Sequence, residues 1–284
     1  MLRMQLCIDE WNERAEIPVD KLAPATSALH RPDARNLSFR LLEFLKCKLR
    51  YIVATGQTVR WVVQRPVFAD LLAPLMVGRT IDVGCGGGTY AIEILAPRSE
   101  SVLAMDYDYR HASLTKVRAE REGATNVHVL VASANALPFR DHSVDLVFCS
   151  EVLEHLPDDN AALREFARVS KPNQTRLLCS VPQPPELFPN PAHLKEGYTP
   201  SELTTKLANN GFSAQGVRFC MFGLTKWVLR SCAALTMPIP LLFLCHLERA
   251  LLLLGVGFSS SSAHDLIILS EYLGENRSSE RGLP

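Results

Sequence analysis

The sequence has no CxxC pair, no Cys/His spacing of the kind that holds a metal, no net charge and no internal repeat. Each absence removes a class of protein. The eight cysteines (Cys7, Cys47, Cys85, Cys149, Cys179, Cys220, Cys232 and Cys245) are scattered, several inside apolar runs where a thiol behaves as a small hydrophobe. Neither a disulfide framework nor a zinc site is expected, and no other metal ligand set is read. Lys+Arg and Asp+Glu balance at 30 each, so no overall field points to nucleic acid or an acidic substrate. Residues 1–18 carry Asp9, Glu10 and Glu13 where an export signal would have its apolar core, so a reduced, cytoplasmic protein is expected.

The charge balance is not uniform along the chain. Arg35, Arg40, Lys46, Lys48, Arg50, Arg60, Arg65 and Arg79 meet only Glu43 and Asp70 between residues 35 and 79. Within that basic stretch Leu41, Leu45, Leu49 and Ile52 recur at helical spacing, and Val59, Val62, Val63 and Val67 repeat the pattern over 57–76, interrupted by Pro66. Residues 1–36 read as a loose, Pro-interrupted arm, 37–78 as a basic helical cap, and 79–284 as the main domain.

From residue 79 onward, short β-type runs alternate with helical ones. Strands are predicted at 80–83, 101–106, 127–132, 144–150, 176–181, 212–219 and 264–270, with helices at 89–95, 109–122, 160–170 and 200–210. This alternation is that of an α/β fold: a doubly wound, mostly parallel seven-stranded sheet with an antiparallel last strand, an N-terminal helical cap and a hydrophobic helical insertion. Ligands in such sheets bind at the carboxyl ends of the strands.

The first strand runs into "IDVGCGGGTY", with Gly84, Gly86 and Gly88 letting the backbone approach a ligand and the next helix offering free N–H groups. A dinucleotide turn counted from Gly84 would need glycine where Thr89 stands, so a nicotinamide cofactor is not expected. The second strand ends on Asp106, about twenty residues past the loop, where a carboxylate can accept both hydroxyls of a ribose. Capping of the helix that starts near Tyr109 is the other role open to Asp106.

The run "VASANALPFRDHSVDLVFCSEVLEHLPD" resembles class I S-adenosylmethionine-dependent methyltransferases, in particular the small-molecule subfamily with a "GDAxxLPFxDxSFDLVxxxxVLEHLPD" pattern. The resemblance extends over 79–272. It implies that Asp82, Gly84, Cys85, Gly86 and Gly88 surround the amino acid portion of S-adenosylmethionine, that Asp106 holds the ribose and that Tyr107 lies beside the adenine. Ser133 and Ala134 would meet the adenine edge. Here "GDA" reads "ASA", with Ser133 in place of the acid and Asn135 as a substitute contact. Ser150 and Glu151 would sit where the methionine end meets the substrate. His155, in "VLEHLPD", and His193, in the loop after the fifth strand, are the candidate general bases. Each also has a purely structural reading, in packing or lid docking.

Residues 220–263 are longer than the connection this fold needs. From 231 to 263 the only formal charges are Glu248 and Arg249, and neither apolar half reaches the roughly 20 residues of a membrane span. A buried lid and an element in a membrane interface are both consistent with it. The expected activity is methyl transfer to a hydrophobic small molecule or lipid-like acceptor, O-methylation ahead of C-methylation, with peripheral membrane contact through 231–263 and the basic helices 37–78. The alternative is a catalytically weak or inactive S-adenosylmethionine-binding regulatory partner.

Overall fold

The computed structural model describes residues 53–54, 56–75, 77–185, 192–234, 237–238, 242–254, 256 and 259–274. The expected arm at 1–36, the helical pattern at 37–52 and the loop residues 186–191 lie outside the described residues. Helix α1 (Gly56–Leu72) comes first, with Pro66 inside it. Strands β1 (Val77–Val83), β2 (Ser99–Asp106), β3 (Val127–Val131), β4 (Leu146–Ser150), β5 (Arg176–Pro182), β6 (Phe212–Cys220) and β7 (Asp265–Tyr272) build one sheet in the order β3-β2-β1-β4-β5-β7-β6. β1 to β5 pair in parallel, and β7 runs antiparallel between β5 and β6. The doubly wound reading is therefore correct, and the late β7 hairpins back into the sheet beside β5.

Strands covered on both faces must be apolar on both faces. Ile81, Val83, Met105, Val147 and Cys149 pack on one side, where they meet Phe166 of α3 (Asp159–Val169) and Leu203 of α4 (Pro200–Asn209). Val102, Ala104, Phe148 and Ile267 pack on the other, against Val59 and Phe68 of α1. The expected helix at 89–95 is a π-helical turn, Ala91–Leu95, followed by a 3-10 turn.

Sequence chemistry sets the helix ends. Helix α2 (Tyr109–Glu122) starts at Asp108, which accepts from the Arg110 N–H, and stops at Gly123 in the left-handed region. Asp158 and Thr199 cap α3 and α4 in the same way.

The insertion forms two helices, α5 (Gly223–Ala234) and α6 (Leu242–Leu253). Glu248, the single acid of the segment, turns inward. Its Oε1 accepts from the Phe222 N–H at 2.8 Å and its Oε2 from the Thr225 N–H at 3.0 Å. An anion thereby caps the positive end of α5 and pins α6 against it. Val228 of α5 and Cys245 of α6 join the core around Phe68 and Phe148. Between the helices, Met237 and Pro238 pair with Ala54 and Val53, so the chain enters the described fold at this hairpin. No described helix is long and apolar enough to cross a membrane.

Candidate active site

The glycine loop leaves β1 at Val83 and folds back on β2. Gly84 and Cys85 both donate to the Met105 carbonyl, at 2.8 and 2.9 Å. Gly84 has φ 73°, and a Cβ there would lie 2.4 Å from Val152 Cγ2, so both backbone and space call for glycine. Gly86 has φ 53° and nothing within 4 Å of where its Cβ would stand, which leaves that side of the loop open. Helix α2 fastens the loop: Thr115 Oγ1 donates to the Gly86 carbonyl at 2.8 Å, and Arg118 Nη1 to the Gly87 carbonyl at 2.7 Å. The Cys85 thiol is buried 3.6 Å from Thr115 Oγ1, and burial pushes its pKa up, so it is a packing group.

Asp106 is buried at the end of β2. Its Oδ2 accepts from the Gly86 N–H at 2.9 Å and its Oδ1 from the Asp108 N–H at 2.9 Å. The helix-capping role is filled by Asp108, which separates the two readings of Asp106. A carboxylate offers about four lone-pair positions, and the backbone occupies two. Two remain for a diol. Tyr107, next along the chain, is 83% exposed, which leaves its ring open to a ligand. Asp82 lies buried beneath the loop. Burial and the nearby Asp106 charge raise its pKa to about 7, against the opposing hydrogen bond from the Ala91 N–H.

The segment after β3 is held to β2 by the Ala132 N–H, which donates to the Asp106 carbonyl at 3.1 Å. Ala134 is buried. Ser133 is exposed, and its hydroxyl accepts from the Asn135 N–H at 3.3 Å. The Asn135 Oδ1 is buried with no hydrogen-bond partner among the described residues. An orphaned polar atom of this kind fits a ligand contact, in keeping with Asn135 substituting for the missing acid.

At the ends of β4 and β5, and at the start of β7, a polar array forms that sequence spacing did not associate. Glu151 follows β4 with φ 55°, in the left-handed region a residue with a Cβ seldom adopts. Its carboxylate pairs with Arg60 of α1, accepts from Ser180 Oγ at 3.0 Å and lies 3.4 Å from Gln64 Nε2. Gln64 also donates to Asp265 Oδ2 at 2.6 Å and accepts from the Tyr90 hydroxyl at 2.6 Å. Ser150 meets Ser180 at 2.8 Å, and His264 Nε2 lies 3.4 Å from Arg60 Nη2. Burial opposes the Glu151 charge, but Arg60 outweighs it and holds the carboxylate below its ordinary range. Burial and the Glu151 charge push Asp265 the other way, to about 7. Burial, then Arg60, depress His264 to about 4, so its imidazole is neutral.

Arg60 therefore does not belong to a cationic outer surface, as the basic stretch implied. It turns inward, neutralises Glu151 and ties α1 to the carboxyl edge of the sheet. No local pattern announces such a contact, since Arg60 and His264 stand 204 residues apart.

The two candidate bases come together. His155 and His193 meet edge to face with ring centroids 4.6 Å apart, and His155 Nδ1 lies 2.8 Å from the Ala192 carbonyl oxygen. Glu154 beside them is 0% exposed. Both of its carboxyl oxygens lack a hydrogen-bond partner among the described residues. Burial first, and the Glu151 charge second, raise its pKa well above the usual carboxylate range. Glu154, His155 and His193 each offer one ligand atom within 4.8 Å of the others, a grouping able to hold a cation that scattered sequence positions concealed.

A methyltransferase domain model matches residues 81–178, the loop, β2 and the β3 to β5 region just described. A probable S-adenosylmethionine-dependent methyltransferase of Mycobacterium tuberculosis is 34% identical over 159 residues, covering 54% of this chain and 55% of that protein. A ubiquinone biosynthesis O-methyltransferase of Paracidovorax citrulli is 35% identical over 104 residues, covering 36% of this chain and 43% of that protein. The chain spans about half the length of the curated relatives it matches. The YcgJ protein of Bacillus subtilis has the same fold, with a TM-score of 0.55 and 18% identity over 75% of this chain and all of its own. The open glycine loop, the spare lone pairs of Asp106, the exposed Tyr107 ring and the orphaned Asn135 oxygen all suit the parts of S-adenosylmethionine. Motif, sheet order and relatives agree: residues 81–178 form a methyltransferase domain, and the chain has the fold of the class I S-adenosylmethionine-dependent methyltransferases.

Proposed function

We propose that this protein methylates a hydrophobic small molecule or lipid-like acceptor, on oxygen rather than carbon. The observation that carries the acceptor class is the apolar packing beside the carboxyl edge. There Phe68 of α1, Tyr90 after the glycine loop and Phe148 of β4 form an aromatic trio with ring centroids 5.1 to 5.7 Å apart. Val228 and Cys245 of the hairpin back it with further apolar surface. Phe68 and Phe148 are fully buried, so the trio is core that fixes α1 and the insertion beside that edge, and apolar surroundings of this kind favour an acceptor with apolar surface of its own. The ubiquinone biosynthesis O-methyltransferases among the relatives support oxygen as the acceptor atom.

S-adenosylmethionine supplies the activated methyl group. Asp106 and the loop amides orient its nucleoside and amino acid ends, and α1 shields the reaction from solvent. O-methylation of a hydroxyl releases one proton, and an imidazole nitrogen of His193 takes it, with His155 packed against the ring to fix its orientation. The Arg60–Glu151 pair holds the carboxyl edge in its strained conformation beside the acceptor.

The test is transfer of labelled methyl from S-adenosylmethionine to lipid and quinone-precursor extracts, followed by hydriodic acid, which releases an O-bound methyl as methyl iodide. His193→Gln should lower transfer by about a hundredfold or more while S-adenosylhomocysteine affinity is retained. Cofactor binding without transfer to any extract would favour the regulatory-partner reading, and label that resists acid would move the methyl off oxygen, to carbon or nitrogen.

A further inference from the structure

We propose that the outward face of α6 docks on an anionic phospholipid surface. α6 has two faces of opposite character. The inner one carries Cys245 in the core and Glu248 on the start of α5. The outer one carries Phe243, His246, Arg249, Ala250 and Leu253, all exposed and spaced at the three- and four-residue intervals of one helix face. Phe243 is 64% exposed, Leu253 79% and Leu254 80%. A helix face in water ordinarily carries charges of both signs. Here the only acid between residues 223 and 263 is buried as a helix cap, so the outward charge, Arg249 on α6 and Arg230 on α5, is cationic throughout.

Two further observations select a lipid surface as the occupant. Helix α6 has 12 residues, about 18 Å of helix, too short for a hydrocarbon core of about 30 Å, yet apolar enough to lie along the headgroup boundary. The sequence ahead of Val53 is also basic, since residues 35–52 carry Arg35, Arg40, Lys46, Lys48 and Arg50 against Glu43 alone. Each such cation near an anionic leaflet adds to the attraction. Apolar side chains enter the interface, and Arg230 and Arg249 rim them.

Flotation of the full chain with vesicles decides the matter. Vesicles of phosphatidylcholine with about a third phosphatidylglycerol should carry the protein to the top of the gradient, and pure phosphatidylcholine vesicles should carry much less. The triple variant Phe243→Ser, Leu253→Ser, Leu254→Ser should lose about tenfold or more of that binding, and Arg230→Gln with Arg249→Gln should abolish the preference for the anionic lipid. Unchanged S-adenosylhomocysteine affinity and unfolding temperature would show that the variants fold. Equal recovery with both vesicle types, or full binding by the folded triple variant, would overturn the proposal. So would a dimer in sedimentation that the triple variant dissociates without any vesicle binding, since a second copy would then cover the face.

Discussion

Asp106→Asn isolates the cofactor carboxylate with almost no change of volume. In the parent, the carboxylate accepts 2.9 Å hydrogen bonds from the Gly86 and Asp108 N–H groups and keeps two lone pairs for a ribose. Asparagine keeps one acceptor oxygen and turns an NH₂ group toward a backbone donor. One charge-assisted bond to the backbone is lost, worth about 1.5–3 kcal/mol of stability, and so is one to a ribose hydroxyl, worth about the same in binding. The second figure corresponds to a roughly 10- to 150-fold rise in Kd for S-adenosylhomocysteine. Calorimetric titration reads the Kd, and urea unfolding of the same variant reads the stability. Both should fall. If stability drops while the Kd stays within about threefold, the carboxylate serves only to tie the loop to β2, and the ribose assignment is refuted.

Two further perturbations probe parts of the fold that support the site. Asp82 is buried with its pKa raised to about 7, so the folded state keeps a proton that the unfolded chain releases near its ordinary value of 3.8. Stability from this group is full below that value and lost as pH rises through about 7. Asp82→Asn should flatten the decline, gaining on the parent by a few kcal/mol, in order of magnitude, between pH 4 and pH 8 in thermal unfolding; parallel profiles would contradict the burial argument. Glu248→Ala should cost about 2–4 kcal/mol in urea unfolding, because two N–H groups at the start of α5 lose a charged acceptor, and Glu248→Gln should cost less than half of that. Equal losses would mean that Glu248 stabilises the hairpin by something other than its two hydrogen bonds.

The strands, the glycine loop and the position of Asp106 were legible because each is a local pattern. Apolar runs mark strands buried on both faces, and glycines mark a turn whose backbone must come close to a ligand. An acid ending the next strand marks a carboxylate at the same edge. Helix ends were equally local, with Asp108 and Gly123 bracketing α2. What stayed hidden was non-local. Thr115 and Arg118 read as ordinary helix residues until α2 packs on the loop and turns them toward it. Arg60 and Gln64 read as polar positions of a basic helix until α1 lies across the carboxyl edge, where burial leaves Glu151 no partner of comparable strength but Arg60. His264 and Asp265 read as the start of a strand until β7 runs back between β5 and β6.

The insertion shows the same division. Its composition alone left a buried lid and an interfacial element as rival readings. The fold gives the segment an inner and an outer face, because Glu248 turns α6 inward to meet two amides at the start of α5 and leaves Phe243, Arg249 and Leu253 outside. By itself, the sequence determined the methyl donor and the sheet that holds it, since both depend on residues close together along the chain. Only tertiary packing decided which charges face the reacting edge and which face outward, because desolvation and charge pairing depend on neighbours that the chain brings together from as far apart as 204 positions.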